Sequence, residues 1–186
     1  MTLSRVAAVA LIASILPAAA LAQDPTLEPP PAAKLTSIAT VAPAREPGKR
    51  MIVTGRLFDR NTSAPLPGRR IGVYQTDATG NYGKDRRNPR WARLHGWLVT
   101  DSLGRYEIRT IRPGPYLGGG APEHIHFVIE TSHGFDGSIE LRFEDDPQVP
   151  GRERESMRVE GRFATVRPVF LGKDGVLRVE RDLRSP

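Results

Sequence analysis

The sequence is divided into short runs of β-branched and aromatic residues, separated by turns that contain glycine, proline or aspartate. Turns recur too often to leave room for a long amphipathic helix, and this pattern is typical of a β protein. Eight runs are predicted to be strands: 52–58, 70–75, 96–100, 105–111, 124–131, 138–143, 164–171 and 176–182. We therefore expect an all-β chain whose eight or so short strands pack as a single β-sandwich domain.

The connections between these runs are predicted to be turns and loops. Two short connections, 101–104 and 173–175, place glycine where a tight hairpin needs a positive φ, so each is predicted to join neighbouring strands. Residues 84–93 are predicted to be a long surface loop, and residues 134–137 and 145–161 are also predicted to be loops.

The N-terminus has the three parts of a secretory signal. Arg5 supplies a positive charge, residues 6–16 form an apolar run, and Ala20-Leu21-Ala22 fits the small-x-small cleavage rule. The apolar run is shorter than the ~20 residues that a membrane-spanning helix needs. We expect residues 1–22 to be a cleaved signal peptide, with an uncleaved anchor as the alternative. The mature protein is then expected in the periplasm or outside the cell, with no membrane association.

Residues 23–50 are rich in proline and alanine and follow neither a helical nor a strand period. This composition is typical of an extended linker. We expect a poorly ordered arm, or an arm that packs on a partner subunit of a homo-oligomer. The domain itself is predicted to cover residues 51–186.

The absence of cysteine narrows the possible metal sites. With no cysteine in the sequence, disulfides and thiolate metal sites are both excluded. A metal ion in this protein would be held by His, Tyr, Asp or Glu.

The formal charge of +6 raises the possibility of nucleic-acid binding. However, the arginines are scattered among acidic residues, and the sequence has no basic helix or stripe of alternating basic and aromatic residues. We therefore expect a charged, solvated surface and no nucleic-acid partner. Such a surface would attract small aromatic acids.

His124 and His126 are the first candidates for metal ligands. Side chains alternate along a strand, so both imidazoles point to the same side, about 7 Å apart along the strand. One metal ion can bind two imidazoles at this spacing. Two histidines on a solvent-facing strand give the same pattern, so the pair alone leaves both interpretations open.

Two tyrosines extend the pattern. Tyr116 lies eight positions before His124, across a glycine-rich turn at 118–120 that can fold back, and Tyr82 lies in a turn further upstream. Taken singly, each is typical of an aromatic residue packed in a loop. Together with the histidines, they would form a group of two phenols and two imidazoles.

The remaining tyrosines and histidines are interpreted differently. Tyr74 and Tyr106 fit strand patterns and are predicted to be core or cross-strand residues. His95 and His133 are predicted to be surface or loop histidines with no part in the candidate site.

Four motifs carry a resemblance to a known family. In order along the chain they are QTDATGNY at 75–82, TDSLGRY at 100–106, TIRPGPY at 110–116 and HIHF at 124–127. In this order they closely resemble the intradiol ring-cleavage dioxygenases, of which protocatechuate 3,4-dioxygenase is the best-known relative. The resemblance extends from about Thr54 to Pro147 and is strongest to the small, exported, single-domain branch of that family.

The resemblance implies a non-haem Fe(III) centre in a β-sandwich. By motif position, its ligands are Tyr82, Tyr116, His124 and His126. It also implies a catalytic role for Tyr116, because in this family the tyrosine of the Pro-Tyr motif leaves the metal when substrate binds. The implied enzyme inserts both atoms of O₂ into a catecholic substrate and forms a muconate-type diacid. No diffusible organic cofactor is implied.

The chemistry of iron agrees with such a ligand set. Fe(III) is a hard cation that prefers anionic oxygen, so phenolate suits it better than thiolate. Two tyrosinates and one hydroxide balance its charge, and a neutral centre can be buried at tolerable cost. The hydroxide and the released Tyr116 phenolate can accept the two protons of a catechol.

This sequence departs from the family beyond the ligands. Many members carry an arginine three positions before the first ligand histidine, where this chain has Ala121. A glutamine that contacts substrate or O₂ in some relatives falls near Glu140, and Arg109 and Arg112 lie nearby in sequence. These departures support iron binding more than efficient turnover. They leave an alternative, a weakened or inactive β-sandwich binding module for iron or a catechol in the cell envelope.

Overall fold

A computed structural model describes residues 29–83 and 92–186 of the chain. Its strands are β1 (Ile38–Thr40), β2 (Arg50–Phe58), β3 (Arg70–Gln75), β4 (Leu94–Val99), β5 (Arg105–Ile111), β6 (His124–Thr131), β7 (Gly134–Phe143), β8 (Val166–Arg167), β9 (Phe170–Leu171), β10 (Leu177–Glu180) and β11 (Leu183–Arg184). The described part also contains helix α1 (Gly151–Glu160) and 3₁₀ turns at Ala32–Lys34 and Gly161–Phe163. The predicted signal peptide, residues 1–22, lies outside the described residues, as does most of the predicted loop at 84–93.

The strands form two sheets. The first has the order β1-β5-β2-β10-β9, and β11 pairs with β2 beyond the end of β10. The second has the order β4-β3-β6-β7-β8 and is antiparallel except for the β7–β8 pair. Mostly antiparallel pairing in two sheets confirms the predicted all-β sandwich.

The hydrophobic core lies between the sheets and determines which way β6 faces. Ile125, Phe127 and Ile129 are fully buried in the core cluster. Since side chains alternate along a strand, His124 and His126 project from the opposite, outer face of the second sheet. The core therefore fixes the register that holds the two histidines together, and Phe127→Ala would cost about 3–5 kcal/mol.

The second half of the predicted arm is part of the sandwich. Strand β1 pairs in parallel with β5, and Ala39, Val41 and Ala42 are buried. The Arg50 guanidinium donates hydrogen bonds to backbone carbonyls of residues 43 and 44, which ties the segment back to β2. The structure thus differs from the expected poorly ordered arm from Ile38 onwards. This segment is a short apolar run among prolines, and it is ordered because β1 pairs with the edge of β5.

The prediction of a loop at 145–161 is wrong, because this segment contains helix α1. The helix begins after Pro150, whose φ of −62° suits the start of a helix, and ends at Gly161, whose φ is +55°. None of its residues is buried. The helix therefore carries no apolar stripe, which is the pattern on which helix prediction depends.

Two further predictions about strands need correction. The predicted loop at 134–137 is the first part of β7, which extends the β6–β7 hairpin to a short turn at 132–133. The predicted strand at 164–171 is divided into β8 and β9, with Pro168 between them, since proline cannot donate a hydrogen bond to a neighbouring strand. Within residues 29–83 and 92–186, no helix has the length and apolar character needed to span a bilayer.

Candidate metal centre

The candidate centre lies at the start of β6, on the outer face of the second sheet. In the register of the sheet, His126 lies between Tyr74 on β3 and Glu140 on β7. The Tyr74 ring stacks on the His126 imidazole with ring centroids 4.4 Å apart and an interplanar angle of 14°. The sheet and this stacking contact together fix the plane of the His126 ring.

A hydrogen-bonded turn after β3 presents Tyr82. The Asp77 carboxylate accepts hydrogen bonds from the Thr79 backbone N–H (2.9 Å), the Thr79 hydroxyl (2.7 Å) and the Asn81 backbone N–H (3.1 Å). The Asp77 N–H in turn donates to the Asn81 carbonyl at 2.9 Å. The chain is thereby closed into a tight turn immediately before Tyr82.

The segments that carry the two tyrosines meet backbone to backbone, and glycine is required on both sides. A Cβ on Gly80, whose φ is +82°, would lie 1.8 Å from the Pro115 carbonyl oxygen. A Cβ on Gly114 would lie 2.6 Å from the Ala78 carbonyl oxygen. The Gly114 N–H also donates to the Asp77 carbonyl at 2.8 Å. This close approach brings Tyr82 and Tyr116, each two residues beyond its glycine, to the same place.

The structure brings all four predicted site residues together. The Tyr82 and Tyr116 hydroxyls are 2.6 Å apart, and the His124 and His126 Nε2 atoms are 2.9 Å apart. Tyr82 Oη lies 2.9 Å from His126 Nε2, and Tyr116 Oη lies 3.1 Å from His124 Nε2 and 3.4 Å from His126 Nε2. Two loops and one strand thus converge on a single point.

The far side of each imidazole is also occupied. His124 Nδ1 lies 2.6 Å from the Pro122 carbonyl oxygen, and His126 Nδ1 lies 3.7 Å from Glu140 Oε1. Because a carbonyl oxygen can only accept, His124 Nδ1 carries the proton. In neutral His124 the Nε2 atom therefore presents a lone pair to the centre.

Burial shifts the ionisation of two of these groups. It raises the pKa of the Tyr82 phenol well above its ordinary value, and the hydrogen bond with Tyr116 adds to the rise. Burial, together with the neighbouring His124, lowers the pKa of His126 to about 4. Without a cation, the phenol of Tyr82 and the imidazole of His126 are therefore both neutral at neutral pH.

The arrangement of donors fits a metal cation. Two phenol oxygens and two imidazole Nε2 atoms converge, and the proton on His124 Nδ1 leaves its Nε2 lone pair facing them. A cation at this point would accept the Nε2 lone pair of His124 and, with hydrogen on its Nδ1, that of His126. Phenol oxygen and imidazole nitrogen are suitable ligands for a first-row transition metal. Glu140 forms a further group with the two histidines, in which one ligand atom from each residue lies within 4.8 Å of the others.

Comparison with known proteins agrees with this architecture. A family model described as "Dioxygenase" matches residues 25–166. The chain is 35% identical over 93 residues to the protocatechuate 3,4-dioxygenase beta chain of Burkholderia cepacia, covering 44% of this chain and 39% of that one. It is 26% identical over 121 residues to catechol 1,2-dioxygenase 2 of Acinetobacter lwoffii, covering 56% and 43%. The chain belongs to the intradiol ring-cleavage dioxygenase family.

The fold of this intradiol dioxygenase family member also has a solved counterpart of similar size. It is similar to the dioxygenase domain of a dioxygenase–carbohydrate-binding fusion protein from Streptomyces sp. SirexAA-E, with a TM-score of 0.59 and 22% identity. The match covers 78% of this chain and 85% of that domain. In contrast, the chain spans about two fifths of the length of the two curated relatives.

The arginines near the motifs of this family member have partners away from the centre. Arg112 pairs with Glu123 at 2.5 Å and with Asp145 at 2.7 Å. Arg109 pairs with Glu107 on the first sheet. Neither guanidinium takes the place of the arginine that many relatives have where this chain has Ala121.

Of the four other tyrosines and histidines that the sequence analysis interpreted, three lie where they were predicted. Tyr106 is buried in the core and Tyr74 is a cross-strand partner, as expected. His133 is exposed in the β6–β7 turn, as expected, but His95 is half-buried on β4 opposite Tyr74, with Nδ1 2.7 Å from the Ala92 carbonyl oxygen. The two outlying histidines are separate from the four-residue cluster.

Sequence analysis named Glu140 only by alignment with relatives, and it missed the arginine and the helix carboxylate that hold Glu140 beside the cluster. Arg142 stands opposite His124 in the β6–β7 register, and it holds both Glu140 and, from helix α1, Glu153. Alternation along β7 places Glu140 and Arg142 on the same face. That alternation could have revealed the pair if the pairing of β7 with β6 had been known.

Proposed function

We propose that this protein is a non-haem Fe(III) intradiol dioxygenase that uses O₂ to open a catecholic ring into a muconate-type diacid. The observation that carries the proposal is the convergence of two phenol oxygens and two imidazole nitrogens on one point, with distances of 2.6–3.4 Å. Family membership supports it. The names of relatives that act on protocatechuate and catechol support the substrate class.

Tyr82, Tyr116, His124 and His126 would hold the iron. When bound, the ion supplies Lewis acidity, which lowers the pKa of phenols and of a catechol and makes the ring reactive towards O₂. The two tyrosinates would cancel most of its charge, so a half-buried centre is tolerable. His124 and His126 would contribute neutral nitrogen ligands through Nε2.

Tyr116 is the ligand best placed to move. Beyond it the chain passes through Gly118 and Gly119, where a Cβ would meet no atom within 4 Å, and Leu117 is 71% exposed. Tyr82, in contrast, follows the hydrogen-bonded Asp77 turn. We infer that Tyr116 Oη would move aside when a catechol binds and would accept one of its protons.

Charge stabilisation on the substrate side is weaker than in relatives that carry an arginine at the position of Ala121. Loss of one charge-stabilising group costs on the order of 10²–10³ in rate. We therefore expect an enzyme that has all four iron ligands but opens the ring slowly.

The visible spectrum of the purified protein, recorded before and after anaerobic addition of a catechol, tests the proposal. Tyrosinate bound to Fe(III) absorbs visible light, so the iron-loaded protein should be purple-red and its band should shift with catechol. Oxygen uptake with protocatechuate, catechol and hydroxyquinol then measures turnover. A colourless protein with stoichiometric iron would overturn the proposal.

Tyr116→Phe assigns the role of the movable ligand. We expect this variant to shift or bleach the band and to abolish oxygen uptake. Tyr106→Phe is the matched control, because it removes a buried phenol outside the centre. An iron-coloured protein that binds catechols without consuming O₂ would instead be the binding module that the sequence leaves as the alternative.

We also propose that the protein is exported to the periplasm or beyond the cell. The charged, apolar and small-residue parts of residues 1–22 support this. Mass spectrometry of protein from the native host should find a mature N-terminus at Gln23. An intact Met1 in the cytoplasmic fraction would contradict the proposal.

A further inference from the structure

Beside the four-residue cluster lies a row of charged side chains that the ligand set does not use. Glu140 Oε1 lies 3.7 Å from His126 Nδ1. Glu140 Oε2 accepts hydrogen bonds from Arg142, at 3.1 Å from Nε and 2.8 Å from Nη2. Arg142 Nη1 donates at 2.6 Å to Glu153 on helix α1. The row thus runs from an exposed helix to the back of a candidate ligand.

We propose that Glu140 is a positioning residue that keeps the His126 proton on Nδ1, so that the Nε2 lone pair faces the metal. Arg142 and Glu153 hold the carboxylate in place. The proposal deepens the proposed function and rests on it for the metal, but the protonation of His126 can be measured without metal or substrate.

The arrangement of partners on the two histidines supports this role. The Pro122 carbonyl fixes the proton of His124 on Nδ1, at 2.6 Å. At His126 the group beside Nδ1 is the carboxylate of Glu140, whose Oε1 lies 3.7 Å away, longer than a direct hydrogen bond but close enough to attract the Nδ1–H. An ionised carboxylate can only accept, so it favours the tautomer with hydrogen on Nδ1. Carboxylates and carbonyls commonly orient metal-binding histidines in this way.

Arg142 determines which oxygen of Glu140 is available. Because both short contacts from the guanidinium go to Oε2, Oε1 is left towards His126. The side chains of Glu140 and Arg142 are 28% and 21% exposed, so water weakens this pair only in part. Stacking of Tyr74 on His126 prevents the imidazole from turning away.

Glu140 has a second conceivable role, as a third metal ligand, because one ligand atom from each of His124, His126 and Glu140 lies within 4.8 Å of the others. The geometry favours positioning over ligation for two reasons. Glu140 faces Nδ1 of His126, whereas Nε2 faces the two tyrosines. In addition, Oε2 is occupied by Arg142.

Glu140→Gln separates these roles, because it changes no volume. Arg142 can only donate, so it will take the amide oxygen and turn the amide NH₂ towards His126. An NH₂ group facing Nδ1 favours the tautomer with hydrogen on Nε2, which removes the lone pair from the centre. The expected result is a switch of His126 tautomer and about a 10- to 100-fold loss of iron affinity.

Long-range ¹H–¹⁵N correlation spectra of the metal-free full chain, labelled on its four histidines, report the tautomers directly. The wild type should show His126 with hydrogen on Nδ1, and Glu140→Gln should show it on Nε2. Iron affinity is measured separately, by competition with a chelator. Glu153→Gln should give a smaller change in the same direction, since it loosens only Arg142.

Glu107→Gln is the matched control. Glu107 is also a strand carboxylate held by an arginine, at 2.6 Å, and its side chain is 29% exposed. It lies on the first sheet, so both the tautomer and the iron affinity should match those of the wild type. An unchanged His126 tautomer in Glu140→Gln would overturn the proposal, whatever the activity. A switched tautomer in a protein that lacks dioxygenase activity would leave the positioning role intact and reject only the proposed function.

Discussion

Two turns of this protein share the pattern Asp-x-x-Gly-x-Tyr, at residues 77–82 and 101–106, and they have the same backbone structure. In each, the aspartate carboxylate accepts hydrogen bonds from the N–H groups two and four residues later. In each, the aspartate N–H donates to the carbonyl of the residue before the tyrosine. The glycines have φ values of +82° and +71°.

The two tyrosines nevertheless have different roles. Tyr106 continues into β5, which pairs with β2, so its ring is buried in the core and its hydroxyl donates to the Arg181 carbonyl at 2.5 Å. Tyr82 lies in no strand, and its hydroxyl is 2.6 Å from that of Tyr116. The same local sequence thus supplies one core residue and one candidate ligand.

The neighbours of the two glycines account for the difference. Gly80 lies against the Pro115 carbonyl, immediately before Tyr116, whereas Gly104 lies against the backbone of Leu57 and Leu66. The motif determines the turn, and the segment packed on the glycine determines what the tyrosine contacts. The candidate centre therefore depends on the contact between two loops as much as on its four side chains.

The largest effect is expected from Gly80→Ala. A side chain here costs about 1–2 kcal/mol for its positive φ and about 1–3 kcal/mol more for the overlap with Pro115. Because the overlap separates the two tyrosine segments, iron binding and the visible band should be lost. Gly104→Ala has the same strain and a milder overlap, with a Cβ 2.9 Å from the Leu57 carbonyl oxygen. It should lower the melting temperature and keep the band, and equal loss of the band in both variants would contradict this explanation.

The next largest effects are expected from Tyr82→Phe and Tyr106→Phe. The first should reduce iron affinity, and the second should reduce stability. Tyr82→Phe removes a candidate ligand, so we expect iron affinity to fall at least on the order of 10²-fold with little loss of stability. Tyr106→Phe leaves a buried carbonyl without its donor, which costs about 1–3 kcal/mol, and iron affinity should not change. Chelator competition and urea denaturation of both variants measure the two quantities. Iron retention by Tyr82→Phe at the wild-type level would exclude Tyr82 as a ligand.

Much of the sandwich could be predicted because alternation along strands is a local property. Alternation along β6 gave the shared direction of His124 and His126, and the structure adds that Ile125 and Phe127 form the core face of this strand. The approach of Tyr82 to Tyr116 was expected from family motifs. Its physical cause, glycine backbone against carbonyl backbone, involves residues 35 and 36 positions apart in sequence and leaves no periodic pattern.

The elements that sequence analysis missed are ordered by contacts with distant parts of the chain, and the local sequence pattern does not identify those contacts. Helix α1 has charged residues on all sides, and contacts with distant residues hold it near the centre: Glu153 binds Arg142, and Arg154 donates to the carbonyls of Glu144 and Asp146. Strand β1 has only three residues and is ordered by its pairing with β5. Such short elements have weak intrinsic preferences, so tertiary contacts decide their structure.

Asp77→Ala and Asp101→Ala test the turns themselves and should have smaller effects. Hydrogen bonds lower the pKa of both carboxyls, against the opposing effect of burial at Asp77. Asp77→Ala removes the acceptor of three hydrogen bonds, and we expect a loss of about 1–3 kcal/mol and a several-fold weaker iron affinity. Asp101→Ala should also lower the melting temperature, but with unchanged iron affinity. A loss of iron affinity in both would mean that general destabilisation, and not the position of Tyr82, controls the centre.

The smallest effect is expected from Glu46→Gln, which removes a contact that only the Tyr82 turn has. Glu46, in the segment before β2, accepts hydrogen bonds from the Arg93 guanidinium at 2.6 and 2.7 Å, and the Arg93 N–H donates to the Tyr82 carbonyl at 2.9 Å. The guanidinium holds the pKa of Glu46 below its usual value. A carboxyl whose pKa is lowered on folding stabilises the protein above its unfolded pKa, and this contribution is lost as the pH falls through the folded value.

The Arg93 side chain is 41% exposed and that of Glu46 only 9%, so we expect about 1 kcal/mol at pH 7 and low salt. The difference between Glu46→Gln and the wild type should therefore shrink below pH 4 and in 1 M salt, as measured by urea denaturation across pH. If the deficit stays constant across pH and salt, Glu46 acts by packing and not by charge. A deficit that follows the ionisation of Glu46, together with a small loss of iron affinity at pH 7, would mean that the segment before β2 helps to hold the Tyr82 turn, a support that the turn at Asp101 does not have.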